Sequence, residues 1–225
     1  MIPMATSPVT LEQLQDDPWV LAYIERGNEY LGAIGYTEHG LRHANLVAHI
    51  AGNVLRRLGY PERTAELASM AGFMHDMGNA IGRADHGISA ALLAQARLQA
   101  LGCDPRETVL IMSAIGNHEE ETGSATDPIG AATILADKSD VHRSRVRTNP
   151  HDFDIHDRVN YAAKRSFLRV DEATRAITLE IDIDTSASQV MEYFEIFLSR
   201  MQMCRGAAEV LDAKFGLVIN GSRLL

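Results

Sequence analysis

The chain has 225 residues, enough for one sizeable domain with its own core, and 46% of them are hydrophobic with only 6% aromatic, a balance that suits a helical protein rich in Ala, Leu and Ile. Its formal charge is −9, from 21 Lys and Arg against 30 Asp and Glu, which argues against a long nucleic-acid partner, because non-specific binding there depends on neutralising phosphates with cations. Two cysteines far apart, Cys103 and Cys204, make no disulfide framework and lead to the expectation of a reducing cytoplasm.

Met1 to Thr10 reads as a loose tail, and Met1 to Asp17 lacks the basic-then-apolar order of a secretory signal. No run approaches the roughly 18 apolar residues of a membrane span, so no membrane partner is expected. Leu11 to Ile34 carries apolar residues at helical spacing, with Pro18 opening its main helix and Gly35 placed as a C′ glycine. Thr37 is a plausible N-cap for a helix over about Glu38 to Leu58, stopped at Gly59; on it His39 and His43 stand four apart and share a face.

Pro61 opens an Ala- and Met-rich helix that runs into His75-Asp76 and is broken by Gly78 and Gly82. The next helix runs from Asp85 or His86 to Gly102. Asp104-Pro105 and Asp127-Pro128 each combine a capping Asp with a first-turn Pro, starting one helix that ends near His118 and another that carries Asp137. Val141 to Asp157 turns basic and polar and reads as a long loop, followed by a short helix to about Arg165. Phe167 to Asp171 and Ala176 to Ile183 look like the strands of a hairpin, the second alternating Ile177, Leu179, Ile181 and Ile183 against polar residues. Thr185 or Ser186 caps a last long helix to about Phe215. The expected fold is therefore mainly α: a single helical-bundle domain over residues 1–225, with residues 166–184 as a β-hairpin appendage.

Chemistry concentrates around Gly72-Phe73-Met74-His75-Asp76-Met77-Gly78-Asn79. The apolar run before His75 and Asp76 carries both side chains toward the interior, where a carboxylate beside an imidazole needs compensation that a metal provides. Asp137 follows Thr133-Ile134-Leu135-Ala136 in the same way. His43, His86 and His118 complete a set of six candidate ligands, with Asp140, three residues after Asp137, as its competitor for the ligand role. His39 is either an outer ligand or a surface histidine. Glu119, Glu120 and Glu121 read as mostly solvated, with one of them available as a proton carrier in a cleft. Lys138, Arg143 and Arg145 are either anchors for an anionic substrate or plain surface charge.

Leu41-Arg42-His43-Ala44, His75-Asp76 and Leu135-Ala136-Asp137 together resemble the HD-domain superfamily of metal-dependent phosphohydrolases, over Thr37 to Asp140. Asp85-His86-Gly87 and Gly116-Asn117-His118-Glu119 match the two extra histidines of its binuclear branch. The resemblance implies an HD-type bundle in which His43, His75, Asp76 and Asp137 hold one metal, while His86 and His118, with Asp76 bridging, hold a second. It makes Asp76 the central catalytic residue and iron or manganese the fitting pair of divalent transition metals. Where many members follow the pair with Gly-Lys, this chain has Gly78-Asn79, so Asn79, Arg83, Lys138 and Arg143 are the candidate substrate-binding residues. The adjacent histidines and Gly-Tyr-Pro motif of HD-GYP phosphodiesterases are missing, which argues against a cyclic dinucleotide. The leading expectation is hydrolysis of a phosphate ester of a small, nucleotide-like metabolite by metal-activated water. The alternatives are a mixed-valent di-iron oxygenase on the same ligand set and a non-catalytic, metal-stabilised interaction module; a homodimer is left open.

Overall fold

The structure, a computed structural model, describes residues 8–120 and 122–225. Most of the expected loose tail, and Glu121 of the acidic run, lie outside the described residues. Among those described, the chain is mainly α, with nine α-helices and one four-stranded sheet.

Helix starts follow local chemistry. α1 (Leu11–Gln15) is capped by Thr10. α2 (Pro18–Ala33) is capped by Asp17, whose carboxylate accepts from the amides of Trp19 and Val20. α3 (Leu41–Arg57) begins at Leu41 rather than at Glu38, and Gly40, not Thr37, is its N-cap. The segment before it is held extended by tertiary bonds: the Glu38 amide donates to the Arg145 carbonyl (2.8 Å) and the His39 amide to Asn28 Oδ1 (3.0 Å). α4 (Glu62–Met74) leads into a single 3-10 turn, Met77–Ala80, and then into α5 (His86–Ala100). The Asp-Pro device starts α6 (Pro105–Gly116) and α7 (Pro128–Ser139) as expected.

The C-terminal third departs from expectation. α8 (Ile155–Ala162) stops short of Arg165 because β1 (Ala163–Asp171) has already begun, pairing antiparallel with β2 (Ala176–Ile183). α9 (Val190–Val210) is shorter at both ends than predicted. Its start is delayed by Asp184, which accepts from the amide and hydroxyl of Ser186 and holds a turn there, so that Gln189 and Glu192 form the capping box. Beyond α9 the chain returns as β3 (Lys214–Ile219), parallel to β2, and β4 (Ser222–Arg223). The predicted hairpin is thus half of a mixed sheet in the order β1-β2-β3-β4, whose buried stripe includes Ile177, Leu179, Ile181, Leu217 and Ile219.

α3, α4 and α7 pack on one another at the centre, with α6 against α4 and α7, α5 on α6, and α9 between α7 and the sheet. From Leu67 to Met74 every residue of α4 is buried, and so is all of α7 from Ile129 on, the pattern of helices surrounded on all sides. α3 and α4 approach closely because Gly72 lacks a side chain: a Cβ there would meet the Val47 backbone at 3.1 Å. No helix among the described residues is long and apolar enough to cross a membrane.

Candidate metal centre

Helix ends converge on one buried point. His43 lies in the first turn of α3, His86 opens α5, Asp137 is in the last turn of α7, and His118 follows the end of α6. Neighbouring side chains on a helix diverge by about 100°. His75 is the C-cap of α4 and still αR, and Asp76, at φ −96° and ψ 0°, leads into the 3-10 turn; both side chains nonetheless reach the same cluster, with His75 Nε2 3.4 Å from Asp76 Oδ2. All six residues predicted as ligands are buried, none more than 9% exposed.

Asp76 stands between two pairs of imidazoles. Its Oδ2 lies 3.6 Å from His43 Nε2 and 3.4 Å from His75 Nε2, and its Oδ1 lies 3.3 Å from His86 Nε2 and 3.8 Å from His118 Nε2. Asp137 Oδ1 closes the first group, 3.4 Å from His43 and 3.6 Å from His75. These atoms form three overlapping trios suited to a cation: His43, His75 and Asp76; His75, His118 and Asp137; and Asp76, His86 and His118.

The tautomers decide what this cluster can hold. His75 Nδ1 is 2.8 Å from the Gly72 carbonyl and His118 Nδ1 is 2.6 Å from that of Ile115. His43 Nδ1 is 2.7 Å from Asp140 Oδ2, and His86 Nδ1 is 2.9 Å from Glu119 Oε1. Each of these partners accepts only, so each Nδ1 carries the hydrogen and donates it. The Nε2 lone pairs then face one another: His43 to His75 at 3.2 Å and His86 to His118 at 3.2 Å. Two lone pairs at that distance repel unless something positive lies between or beside them. Asp76 Oδ2 is also buried with no hydrogen-bond partner, a costly arrangement for a carboxylate oxygen. These buried His and Asp groups can hold metal ions.

The field of the protein's own charges agrees. Burial disfavours a charged His75, but Asp76 and Asp137 outweigh it and raise its pKa to about 10. Burial and the positive potential of His75 and Lys138 drive His118 well below the ordinary imidazole range. Burial opposes ionisation of Asp76 and Asp137, yet the surrounding imidazoles, with Lys138 at Asp137, hold both carboxyls well below their usual range. Both carboxylates are thus held ionised at the centre, which favours a positive charge beside them.

Two carboxylates that the ligand list lacked hold the rings in place. Asp140 points away from the cluster and accepts from His43 Nδ1, while Arg42 Nη2 donates to the same oxygen at 2.7 Å and Arg145 Nε lies 3.6 Å away. Burial opposes its charge, but Arg145, His43 and Arg42 keep its carboxyl well below the usual range. Glu119 accepts from His86 and from the Gly87 amide at 2.6 Å. Such partners fix ring orientation and strengthen ligand basicity.

The cluster floors a cleft of about 850 Å³, lined among others by His39, Arg83, Lys138, Arg145, His156, Asp157 and Arg200. Arg83 and Lys138 line it. His39 precedes α3, packs edge-on to His43 at 5.4 Å, and donates through Nδ1 to the Thr37 carbonyl. Burial, helped by Arg145, pushes it well below the ordinary imidazole range. Two expected substrate contacts are placed otherwise. Asn79 is 1% exposed and its amide donates to the Asp76 carbonyl and to Oδ1, both at 3.0 Å, so it orients a ligand. Arg143 lies over the Tyr161 ring at 5.2 Å, outside the cleft lining. Of the acidic run expected to be mostly solvated with one member in the cleft, both Glu119 and Glu120 line it, and Glu120 accepts from Arg200 and Ser199.

No family model matches the chain, and no curated protein matches it.

Proposed function

We propose that this chain is an HD-type, metal-dependent phosphohydrolase that cleaves a phosphate ester of a small, nucleotide-like metabolite. The observation that carries this reading is the convergence of four Nε2 lone pairs on a carboxylate whose two oxygens face separate imidazole pairs. His43, His75, Asp76 and Asp137 would hold one divalent transition metal, iron or manganese by the chemistry of the donors, and His86 and His118 a second, with Asp76 shared. When bound, such a pair supplies Lewis acidity and a nucleophile from water at neutral pH.

The chain's own residues do the rest. Asp140 and Glu119 fix His43 and His86 through Nδ1, and Asn79 fixes Asp76. Burial of the ligands confines the substrate's reacting end to the cleft floor, and Lys138 and Arg83 on the walls offer positive charge to phosphoryl oxygens. The chain's net charge of −9 favours a small substrate over a long polyanion.

The test is a panel of nucleotides and phosphomonoesters assayed with manganese or ferrous iron. Turnover abolished by His75→Ala, with phosphate released under anaerobic conditions, is the expected result. Consumption of dioxygen with no anaerobic phosphate release would replace this reading by the di-iron oxygenase.

A further inference from the structure

The cations of the cleft differ in how far their hydrogen-bonding capacity is already used. Arg145 donates to the carbonyls of Glu38 and Asp140 and lies beside the Asp140 carboxylate. Arg83 sits over the Tyr36 ring and reaches Asn79 and His86. Lys138 Nζ is 2.7 Å from Asp137 Oδ2 and 3.7 Å from Glu120 Oε1. Arg200, carried in by α9, donates through Nε to Glu120 at 2.9 Å and stacks 4.3 Å from the Phe197 ring centre. Its two terminal nitrogens have no hydrogen-bond partner among the described residues.

Glu120 and Phe197 therefore hold the guanidinium at a fixed place on the cleft wall, with its outer edge unpartnered among the described residues. Lys138 and Arg200 both face Glu120, at 3.7 Å and 2.9 Å. Among the described residues Arg200 is joined to the cluster through Glu120, Lys138 and Asp137, so a group bound to it is displaced outward from one bound at the ligands. A planar guanidinium with a free edge matches the paired oxygens of a carboxylate or phosphate.

We infer that Arg200, supported by Lys138, is the subsite for a second anionic group of the substrate, one that is not cleaved. This rests on the phosphohydrolase reading and narrows it to phosphate esters that also carry a carboxylate or a further phosphate.

The test uses the metal-loaded, full-length chain and three non-hydrolysable probes in titration calorimetry: methylphosphonate, phosphonoacetate and methylenebisphosphonate. A two-anion probe is expected to bind at least about tenfold tighter than methylphosphonate, the worth of one charged hydrogen-bonded contact. The tighter of the two names the second group. Arg200→Gln should bring that probe down to the level of methylphosphonate, whose own affinity stays unchanged, and Arg200→Lys should recover part of the gain. A double variant, Glu120→Gln with Arg200→Gln, removes both partners of the pair and answers the question if Arg200→Gln alone unfolds; metal content is measured for each. Equal affinity of wild type for all three probes, or undiminished two-anion binding without Arg200, overturns the subsite. Loss of the discrimination in a chain that turns over no phosphate ester keeps the subsite and removes the phosphohydrolase reading. Hydrolysis with an unchanged KM in Arg200→Gln does the reverse.

Discussion

Asp76 carries the largest share of the account at the scale of single residues, because its two oxygens serve two imidazole pairs. Asp76→Ala should lose metal from both and lower the melting temperature more than His86→Ala, since binding of the metal to the folded state is itself stability. Elemental analysis of the two variants decides it, and full metal content in Asp76→Ala would contradict the shared role. Asp140 makes the second prediction. Asp140→Asn keeps the shape but removes the charge that His43, Arg42 and Arg145 share, and metal affinity should fall by about 10–100-fold. An unchanged dissociation constant would make Asp140 a purely structural anchor. The six ligand candidates were legible because each is a metal-binding residue type beside an apolar run or helix boundary. The supporting residues were not. Asp140 lies three residues after Asp137 in sequence, but only the packing of α3 against α7 shows that it meets His43 rather than the cluster. Glu119 follows His118, yet its partner is His86, and nothing near Arg200 in the sequence points to the cleft.

Secondary-structure elements bring these residues together through a few close approaches. A Cβ on Gly78 would lie 1.9 Å from the His86 carbonyl oxygen and 2.6 Å from the Ala90 amide nitrogen, whereas one on Gly82 meets nothing within 4 Å. Gly78→Ala should therefore cost about 1–3 kcal/mol or more by overpacking, and Gly82→Ala little, as urea unfolding would show. Equal effects would mean that the turn after Asp76 yields freely. Asp17 both caps α2 and takes Arg97 Nε at 2.6 Å. Burial pushes its carboxyl up, but Arg97 and the Val20 and Trp19 amides outweigh that and lower it. Its stabilisation is present above the ordinary carboxylate range and lost as pH falls through the lowered value. Asp17→Ala should cost about 1–2 kcal/mol at neutral pH, and the gap to wild type should close on acidification; a gap constant with pH would contradict the charged cap. Capping Asp-Pro pairs and apolar periodicity made most helices readable. The second half of the sheet was not read, although Asn220-Gly221, with φ of 50° and 77°, is a hairpin-turn signature after the β-branched run ending at Ile219. The long apolar stripe of α9 masked it, because helical periodicity was extended through Phe215. The mixed sheet also needs β3 to return beside β2 across α9, a long-range pairing that local pattern does not encode.

For the whole molecule, the bundle is built so that the ends of α3, α4, α5, α6 and α7 meet at one buried point, and α9 closes the cleft above it. The centre crowds four imidazoles and two carboxylates together and leaves Asp76 Oδ2 buried with no hydrogen-bond partner. If these groups hold a cation as proposed, stripping it with a chelator should lower the melting temperature and restoring it should raise it. The most direct measurement is the metal content of the full-length chain purified without chelator, read together with that melting temperature. About two transition-metal ions per chain are expected, the number that a shared carboxylate between two imidazole pairs accommodates, lost together with thermal stability on chelation. Protein that binds no transition metal when offered manganese or ferrous iron, and melts at the same temperature with and without chelator, would contradict that expectation.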